Sequence, residues 1–210
     1  MLIAFDFDGT LSDSEMTVLL GDQRDVADDM AEITERAMND EIDYATSLRE
    51  RAALLEGLPE AKAQQAWGQV ELRPGSAAVI DALRQAGHTV AILTGGFESG
   101  VEAALERAGT TVDVVVANRL PVEDGELTGE VEGPLVEGTK DTELETLATN
   151  EAIPMAETVA VGDGANDLPM LQVAGLAVGF EPKPAVEPHC DTAVESMDDL
   201  LTLFESRDFV

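Results

Sequence analysis

The chain has 210 residues, of which 12 are Lys or Arg and 43 are Asp or Glu, so that its formal net charge is -31. A charge of this sign excludes nucleic-acid binding by neutralisation of phosphates, which needs basic patches. Hydrophobic residues still make up 44% of the chain, close to the average of globular domains. The length and this composition predict one compact domain, or one domain that carries a sizeable insertion.

The acidic residues are spread along the whole chain and interleaved with apolar ones, which indicates a solvated surface rather than a disordered acidic tail. Only three lysines occur, and aromatic residues make up 4%. This composition is typical of proteins that function in concentrated salt, where screening weakens the repulsion between surface charges. Because we find no secretion signal, no membrane-spanning stretch and a single cysteine, we expect a cytoplasmic protein that binds no membrane.

The chain begins with an apolar run from Leu2 to Phe5. Similar runs recur at four later places, 89–93, 112–116, 158–161 and 176–178. Runs that are continuously apolar, rather than alternating, predict strands of a parallel sheet that is buried on both faces. Helical stretches lie between these runs, and one of them begins near Pro74 and ends before Gly87. The pattern predicts an α/β fold with a Rossmann-like parallel sheet.

Residues 14–72 interrupt this alternation. They contain no clear strand, and apolar residues recur at helical spacing, for example at Val26, Met30 and Ile33. We therefore expect a core domain made of residues 1–13 and 73–210, with a small helical cap domain, residues 14–72, inserted after the first strand. A hairpin is predicted at 120–131, where Asp124-Gly125 supplies the turn.

Two carboxylates, Asp6 and Asp8, stand two residues apart directly after the first predicted strand. The carboxyl ends of strands are where open α/β sheets bind their ligands, and in an extended chain both side chains point the same way. An acidic surface turn would explain the pair equally well. Two like charges at a sheet edge are costly unless they share a proton or a cation, so the pair suggests a metal site, and oxygen ligands favour magnesium.

A second acidic cluster follows the predicted strand at 158–161. It runs from Gly162 to Asp167 and includes Asp163 and Asn166, with glycines that allow a sharp turn. The cluster either completes the acidic metal site or forms another acidic surface turn.

Thr94 and Gly95 end a further predicted strand. A hydroxyl and a glycine-rich turn before a helix can face an anion, although an ordinary strand-to-helix turn has the same composition. Lys140 serves either as a positive charge for a phosphate or as half of a surface ion pair.

Arg49 and Arg51 lie in the inserted helical segment. Neither has a carboxylate three or four residues away, so neither has an ion-pair partner on its own helix. In so acidic a chain, we expect both to serve a group elsewhere in the fold.

Four of these motifs, in this order, resemble those of the haloacid dehalogenase superfamily of phosphatases. They are the run from Asp6 to Thr10, Leu93-Thr94-Gly95, Lys140, and the run from Gly162 to Asp167. Within the superfamily, the chain is most similar to the phosphoserine phosphatase family. That similarity spans nearly the whole chain and includes Glu15 and the segments 47–51, 94–97, 117–120 and 124–129. Gly9 and Thr94 stand where many members of that family carry Ser.

The resemblance implies a magnesium-dependent phosphatase that hydrolyses O-phospho-L-serine in serine biosynthesis. Asp6 would be the nucleophile that forms an aspartyl phosphate, and Asp8 would act first as general acid and then as general base. The metal ligands would be Asp6, Asp8 through its backbone carbonyl, and Asp163.

The same resemblance implies how the substrate is bound. The phosphoryl oxygens would contact three residues, Thr94, Gly95 and Lys140. Glu15 would accept the ammonium group of the substrate, Arg49 would bind its carboxylate, and Asn166 would contact it as well. Asp167 would orient the groups around the metal ion.

Two other functions remain open from the sequence. The motifs determine the chemistry better than the substrate, so a phosphatase or phosphotransferase that acts on another small phosphoester is one alternative. A phosphoaspartate signalling module is the other, because such modules also combine acidic residues, a hydroxyl and a lysine on a parallel sheet. Asp8 and the inserted cap argue against the module. A homodimer is left open.

Overall fold

The structure is a computed structural model that describes residues 1–38, 41–137 and 139–210. The strands are β1 (Leu2–Phe5), β2 (Thr89–Phe97), β3 (Val114–Asn118), β4 (Val122–Glu123), β5 (Glu126–Leu127), β6 (Thr158–Gly162), β7 (Leu176–Phe180) and β8 (Thr192–Val194). The helices are α1 (Met16–Asp22), α2 (Ala27–Met38), α3 (Tyr44–Ala53), α4 (Glu60–Trp67), α5 (Ser76–Gln85), α6 (Glu98–Ala108), α7 (Lys140–Asn150), α8 (Leu168–Val173) and α9 (Met197–Ser206).

Six strands form one parallel sheet in the order β3-β2-β1-β6-β7-β8. After β1 the chain adds β2 and β3 on one side and later adds β6, β7 and β8 on the other. The strand order therefore reverses beside β1, and the carboxyl ends of β1, β2 and β6 meet at one edge, which is where such sheets bind ligands. The α/β fold with a parallel sheet is confirmed.

Both faces of this sheet are buried, as the continuous apolar runs predict. Side chains alternate along β1, so that Ile3 and Phe5 enter one apolar core while Leu2 and Ala4 enter the other. The first core includes residues of α5, α6 and α9, and the second includes residues of α7 and α8. The sheet is therefore a rigid layer between two helical layers, and it holds the loops at its carboxyl edge in place.

The observed strands differ from the predicted runs mainly at their ends. β2 continues past Leu93 to Phe97, and β3 begins at Val114 rather than at residue 112. β8 is not predicted by the apolar runs, because this three-residue edge strand exposes Ala193 and buries only Val194. Edge strands are half solvated, so their sequences lack the continuous apolar pattern.

The inserted segment is helical, as its periodicity predicts, with α1 to α4 between β1 and α5. α2 buries Met30 and Ile33, while the acidic residues on its other face are exposed, namely Asp28, Asp29, Glu32 and Glu35. The chain enters this segment after Ser12 and leaves it after Glu71. A hydrogen bond joins these two points, in which the Ser12 hydroxyl donates to the Glu71 carbonyl at 2.7 Å.

The predicted hairpin is also present, as β4 and β5 joined at Asp124-Gly125. It packs against the helical segment, since the Gly57 N–H donates to the Leu127 carbonyl at 2.8 Å and the Leu127 N–H donates to the Leu58 carbonyl at 2.9 Å. Within the described parts of the chain, every helix is too short or too polar to cross a membrane.

The net charge of -31 makes the stability of this fold depend on salt. As KCl is lowered, the Debye length rises from ~3 Å at 1 M to ~30 Å at 0.01 M, and repulsion between the exposed carboxylates grows. We expect the melting temperature, followed by circular dichroism, to fall steadily over this range. A melting temperature that does not change with KCl would contradict the adaptation to salt that the composition indicates.

Candidate active site at the carboxyl edge of the sheet

Asp6 lies where β1 ends, and the backbone fixes its position. Its N–H donates to the Val161 carbonyl at 2.9 Å, which ties the loop after β1 to β6. The side chain is 2% exposed and accepts a hydrogen bond from Nζ of Lys140 at 2.6 Å. A carboxylate held in this way keeps a fixed direction toward the edge of the sheet.

The loop that follows β6 is organised by Asp167. One of its oxygens, Oδ2, accepts the N–H groups of Asp163 and Gly164, each at 2.9 Å, and Oδ1 accepts from Nζ of Lys140 at 2.6 Å. Both oxygens therefore have protein partners. Asp167 holds the loop that carries Asp163 and is fully buried while doing so.

Lys140 is the first residue of α7, and its side chain reaches the edge of the sheet, where it is 4% exposed. It bridges Asp6 and Asp167. Burial by itself lowers the pKa of an ammonium group, but the two carboxylates outweigh burial and raise the pKa of Lys140. Lys140 is thus a buried, charged group inside the site and not half of a surface ion pair.

Three carboxylates could share a metal ion: oxygens of Asp6, Asp163 and Asp167 lie within 4.8 Å of one another, and they form the metal-competent group of the described residues. All their donor atoms are oxygens, which suits a hard divalent cation. Oδ2 of Asp6 and Oδ1 of Asp163 receive no hydrogen bond from the described residues, whereas both oxygens of Asp167 do. Asp6 and Asp163 are therefore the carboxylates that fit a metal ion.

Asp163 approaches the loop after β1 because residue 9 is a glycine. Gly9 has φ +88°, and a Cβ at this position would lie 2.7 Å from Oδ1 of Asp163. The absence of a side chain at Gly9 lets the two acidic loops come together at the edge of the sheet.

Asp8 is half-buried in the same site, and its buried Oδ1 atom has no hydrogen-bond partner among the described residues. Its Oδ2 atom would lie 3.0 Å from a Cβ at Gly96, so the carboxyl group faces the loop at the end of β2. Burial raises the pKa of Asp8 well above its usual value, and the charges of Asp6 and Glu15 raise it further. A buried carboxyl with a raised pKa can hold a proton and donate it.

The pKa of Asp6 is also raised, to about 8. Burial is the largest cause and the charge of Asp167 adds to it, while Lys140 acts in the opposite direction. One ammonium group is thus not enough to balance the carboxylates of this site, and a cation bound there would favour the ionised form of Asp6.

The last residues of β2, where its pairing with β3 shifts in register, have fixed peptide groups, although the sequence pattern predicts a turn here. The Thr94 hydroxyl accepts the N–H of Gly96 at 3.0 Å. Nδ2 of Asn118 donates to the Gly95 carbonyl at 3.0 Å, and Oδ1 of Asn118 accepts the N–H of Leu135 at 3.1 Å. Asn118 is fully buried and sets the orientation of the Gly95 peptide, a role that the sequence pattern does not reveal.

Tyr44, the first residue of α3 in the helical insertion, covers the end of β2 at Gly95. A Cβ at Gly95 would overlap the Tyr44 hydroxyl, so the hydroxyl lies directly against the Gly95 backbone. The residue as a whole is 41% exposed, but burial of its hydroxyl end raises the pKa of Tyr44. The Asp43 side chain, which accepts the N–H of Thr46 at 2.7 Å, starts α3 at this point.

Comparison with known proteins agrees with this geometry. The haloacid dehalogenase-like hydrolase family matches residues 3–172. The chain belongs to the haloacid dehalogenase-like hydrolases. It is 54% identical over 199 residues to phosphoserine phosphatase of Halobacterium salinarum, covering 95% of this chain and 94% of the relative. It is 39% identical over 198 residues to phosphoserine phosphatase of Methanocaldococcus jannaschii, covering 94% and 93%.

Solved structures are similar along the same length. A substrate-bound complex of phosphoserine phosphatase matches with a TM-score of 0.88 and 36% identity, covering 96% of this chain and 97% of that one. A phospho-aspartyl intermediate analogue of phosphoserine phosphatase matches with a TM-score of 0.87, 36% identity and the same coverage. The resemblance that the four motifs indicate is confirmed, and the relative from Halobacterium fits the composition expected for concentrated salt.

In this hydrolase, the helical insertion presents two arginines to different surroundings. The Arg49 guanidinium forms an ion pair with Glu137, and its side chain is 49% exposed. Arg51 is half-buried. Its Nε atom donates to the Ser47 carbonyl at 3.3 Å, and its Nη1 atom lies 3.5 Å from the Thr17 hydroxyl oxygen. Arg49 thus pairs with a carboxylate far along the chain, as expected, but not with one of the site carboxylates. Arg51 contacts both the backbone of its own helix and Thr17 on α1.

Arg51 is electrostatically connected to the site. Burial lowers the pKa of Arg51, while the charges of Tyr44, Glu15 and Asp8 oppose this effect. The charges of Glu15 and Asp8 therefore act on Arg51. The sequence does not distinguish Arg51 from Arg49, because neither has a helical partner.

Glu15 and Asn166 are the two remaining residues that the resemblance assigns to the substrate, and both are exposed. Glu15 precedes α1, and its charge raises the pKa of Asp8. Oδ1 of Asn166 would lie 2.6 Å from a Cβ at Gly164, so the amide rests on the loop that carries Asp163.

Proposed function

We propose that this chain is a phosphoric monoester hydrolase that hydrolyses O-phospho-L-serine to L-serine and phosphate, in a magnesium-dependent reaction of serine biosynthesis. The observation that carries the reaction is the pair of Asp6 and Asp8 at the edge of the sheet: the buried Asp6 contacts Lys140, while a buried oxygen of Asp8 has no partner among the described residues. The substrate rests on the phosphoserine phosphatases to which the chain is similar.

In the first step, a carboxylate oxygen of Asp6 attacks phosphorus and forms an aspartyl phosphate, while the bond from phosphorus to the serine oxygen breaks. Asp8, protonated because of its raised pKa, gives its proton to the leaving serine oxygen. In the second step, Asp8 takes a proton from the water molecule that attacks phosphorus, and Asp6 is released. Asp8 ends the cycle protonated, as it began.

The carboxylates fit Mg²⁺, which Asp6 and Asp163 would hold through side-chain oxygens and Asp8 through its backbone carbonyl. When bound, the ion would reduce the repulsion between the Asp6 carboxylate and the phosphoryl group. Asp167 has a different task, because its oxygens hold the loop of Asp163 and the ammonium group of Lys140.

Thr94, the Gly95 N–H and Lys140 are proposed to bind the phosphoryl oxygens. Asn118 holds the Gly95 carbonyl, and with it the peptide group between Gly95 and Gly96, in one orientation. The Gly95 N–H belongs to the preceding peptide group, and fixing the backbone beside it limits reorganisation when charge develops on the phosphoryl group. Tyr44 lies over Gly95 and would exclude water from this part of the site.

Residues 14–72 are proposed to act as the cap that selects the substrate, on a core of residues 1–13 and 73–210. Glu15 would accept the substrate ammonium group, Asn166 would contact the substrate, and Arg51 rather than Arg49 would bind its carboxylate. The support for Arg51 is its partial burial and its electrostatic connection to Asp8 and Glu15, whereas Arg49 is already paired with Glu137. A cytoplasmic location belongs to the same proposal, and a homodimer stays open.

The proposed function is tested by phosphate release from L-phosphoserine, phosphoethanolamine and glycerol phosphate in molar KCl, with Mg²⁺ or with a chelator. We expect the highest kcat/KM for L-phosphoserine and loss of activity with the chelator. Equal or better hydrolysis of glycerol phosphate would instead favour the alternative of a phosphatase for another small phosphoester.

Arg51 and Arg49 provide a matched pair of variants for the substrate assignment. We expect Arg51→Ala to lower kcat/KM for L-phosphoserine by an amount equivalent to about 2–5 kcal/mol, because a buried pair with the substrate carboxylate is lost. Arg49→Ala removes the same charge from the same helix and should have little effect. Arg51→Lys should not restore activity, since it lacks the planar fork.

The comparison with phosphoethanolamine separates binding from folding. This ester has the ammonium group but no carboxylate, so Arg51→Ala should change its kcat/KM much less. A larger loss of kcat/KM in Arg49→Ala than in Arg51→Ala would indicate that Arg49 binds the substrate carboxylate instead. Equal losses of kcat/KM for both esters in Arg51→Ala would indicate that Arg51 has only a structural role in the cap.

A further inference from the structure

Two of the three lysines in this acidic chain lie on its carboxylate site. Lys140 bridges Asp6 and Asp167 from inside the fold. Lys183 reaches Asp163 from outside, with its Nζ atom 3.0 Å from Oδ2. The third lysine, Lys62, is on the exposed surface of α4. A chain that otherwise avoids lysine thus places a second one on a carboxylate that fits a metal ion.

The backbone around Lys183 is held against the loop that follows β6. The Lys183 N–H donates to the Asp163 carbonyl at 2.9 Å, and the Lys183 carbonyl accepts the N–H of Val186 at 2.8 Å. Pro182 and Pro184 on either side restrict the backbone further. The Lys183 side chain is less constrained than this backbone. It is 63% exposed, so it can move away from Asp163 without disturbing the core.

The ammonium group and a metal ion compete for the same carboxylate. Besides Asp8, the site contains three buried carboxylates, those of Asp6, Asp163 and Asp167, against one buried ammonium group, that of Lys140. Lys183 adds a second positive charge beside these carboxylates, through its ion pair with Asp163.

We propose that Lys183 is the counter-cation of the metal-free site: its ammonium group neutralises Asp163 until a divalent cation binds, and then leaves Oδ2 of Asp163. Lys183 thereby stabilises the metal-free protein and lowers the affinity for the metal ion. This inference rests on the metal binding included in the proposed function. It concerns a residue to which the four motifs assign no role.

The test compares Lys183→Gln with Lys62→Gln, which removes the same charge from a position outside the site. Mg²⁺ is titrated calorimetrically into each metal-free protein in molar KCl, without substrate. We expect Lys183→Gln to lower the Kd for Mg²⁺ about two- to fivefold, the range that the loss of one partly exposed ion pair allows. Lys62→Gln should leave the Kd unchanged. Mg²⁺ should also raise the melting temperature more in Lys183→Gln than in the wild type.

A second measurement uses the wild-type chain and so does not depend on how a variant folds. An amine-reactive reagent is followed by mass spectrometry with and without Mg²⁺, with Lys62 as the internal reference. We expect Mg²⁺ to increase the labelling rate of Lys183 relative to Lys62, because the ammonium group is released from Asp163.

The possible outcomes separate the two proposals. An unchanged or higher Kd for Mg²⁺ in Lys183→Gln, or labelling of Lys183 that Mg²⁺ does not increase, would overturn the role of Lys183 and leave the proposed reaction standing. Failure of the wild-type protein to bind Mg²⁺ would overturn both proposals.

Discussion

Asp6→Asn is expected to abolish phosphate release from L-phosphoserine, with a loss of kcat of at least roughly 10⁴-fold, as for other enzymes that lose their nucleophile. An amide cannot form the acyl phosphate, and it cannot offer the negative charge that Lys140 contacts in the wild type. Steady-state phosphate release measures this loss. The fold should persist, because asparagine has the same shape as aspartate and one of several crowded carboxylates is removed.

Asp13→Asn is the matched control for this variant, since Asp13 is exposed and lies just beyond the same motif. Its activity should equal that of the wild type. Circular dichroism of both variants checks the fold. If folded Asp6→Asn keeps full phosphatase activity, Asp6 is not the nucleophile.

Asp8→Asn is expected to slow both chemical steps, by about 10²- to 10⁴-fold, the usual contribution of a general acid and base. The first step loses the proton donor for the serine oxygen, and the second loses the base for the attacking water. Any phosphoenzyme that forms should therefore persist longer than in the wild type. Rapid quench with phosphoserine labelled in its phosphate measures the formation and decay of this intermediate.

The two variants are expected to differ in the amount of phosphoenzyme that rapid quench detects. Asp6→Asn should show no phosphoenzyme at any time, whereas Asp8→Asn should accumulate one. Unchanged rates of both steps in Asp8→Asn would refute the assignment of Asp8 as acid and base, even though its burial and raised pKa suit that role.

The apolar runs and acidic motifs predict the sheet and the reactive side chains at its carboxyl edge. Strands buried on both faces must be continuously apolar, so β1, β6 and β7 are visible as runs. Their carboxyl ends share one edge in a parallel sheet, and this predicts that residues following different strands, such as Asp6 and Asp163, come together. The helical insertion was visible as well, because its periodicity interrupts the strand pattern.

The surroundings of each side chain in the insertion, by contrast, depend on how its helices pack. Arg49 and Arg51 are equivalent by local pattern, but two residues turn an α-helix by roughly 200°, so they point to nearly opposite sides. The surroundings of each side depend on how α3 packs: Arg49 pairs with Glu137, whereas the half-buried Arg51 contacts Thr17 and is affected by the charge of Asp8.

Contacts between residues far apart in the chain have the same origin. Tyr44 covers Gly95, Asn118 orients the Gly95 peptide, and Lys183 reaches Asp163, yet no local spacing marks these residues. Sequence patterns report the neighbours of a residue along its own helix or strand. The charge balance of a buried site is instead set by all the groups that the fold brings within a few ångströms, and only the folded chain determines which groups those are.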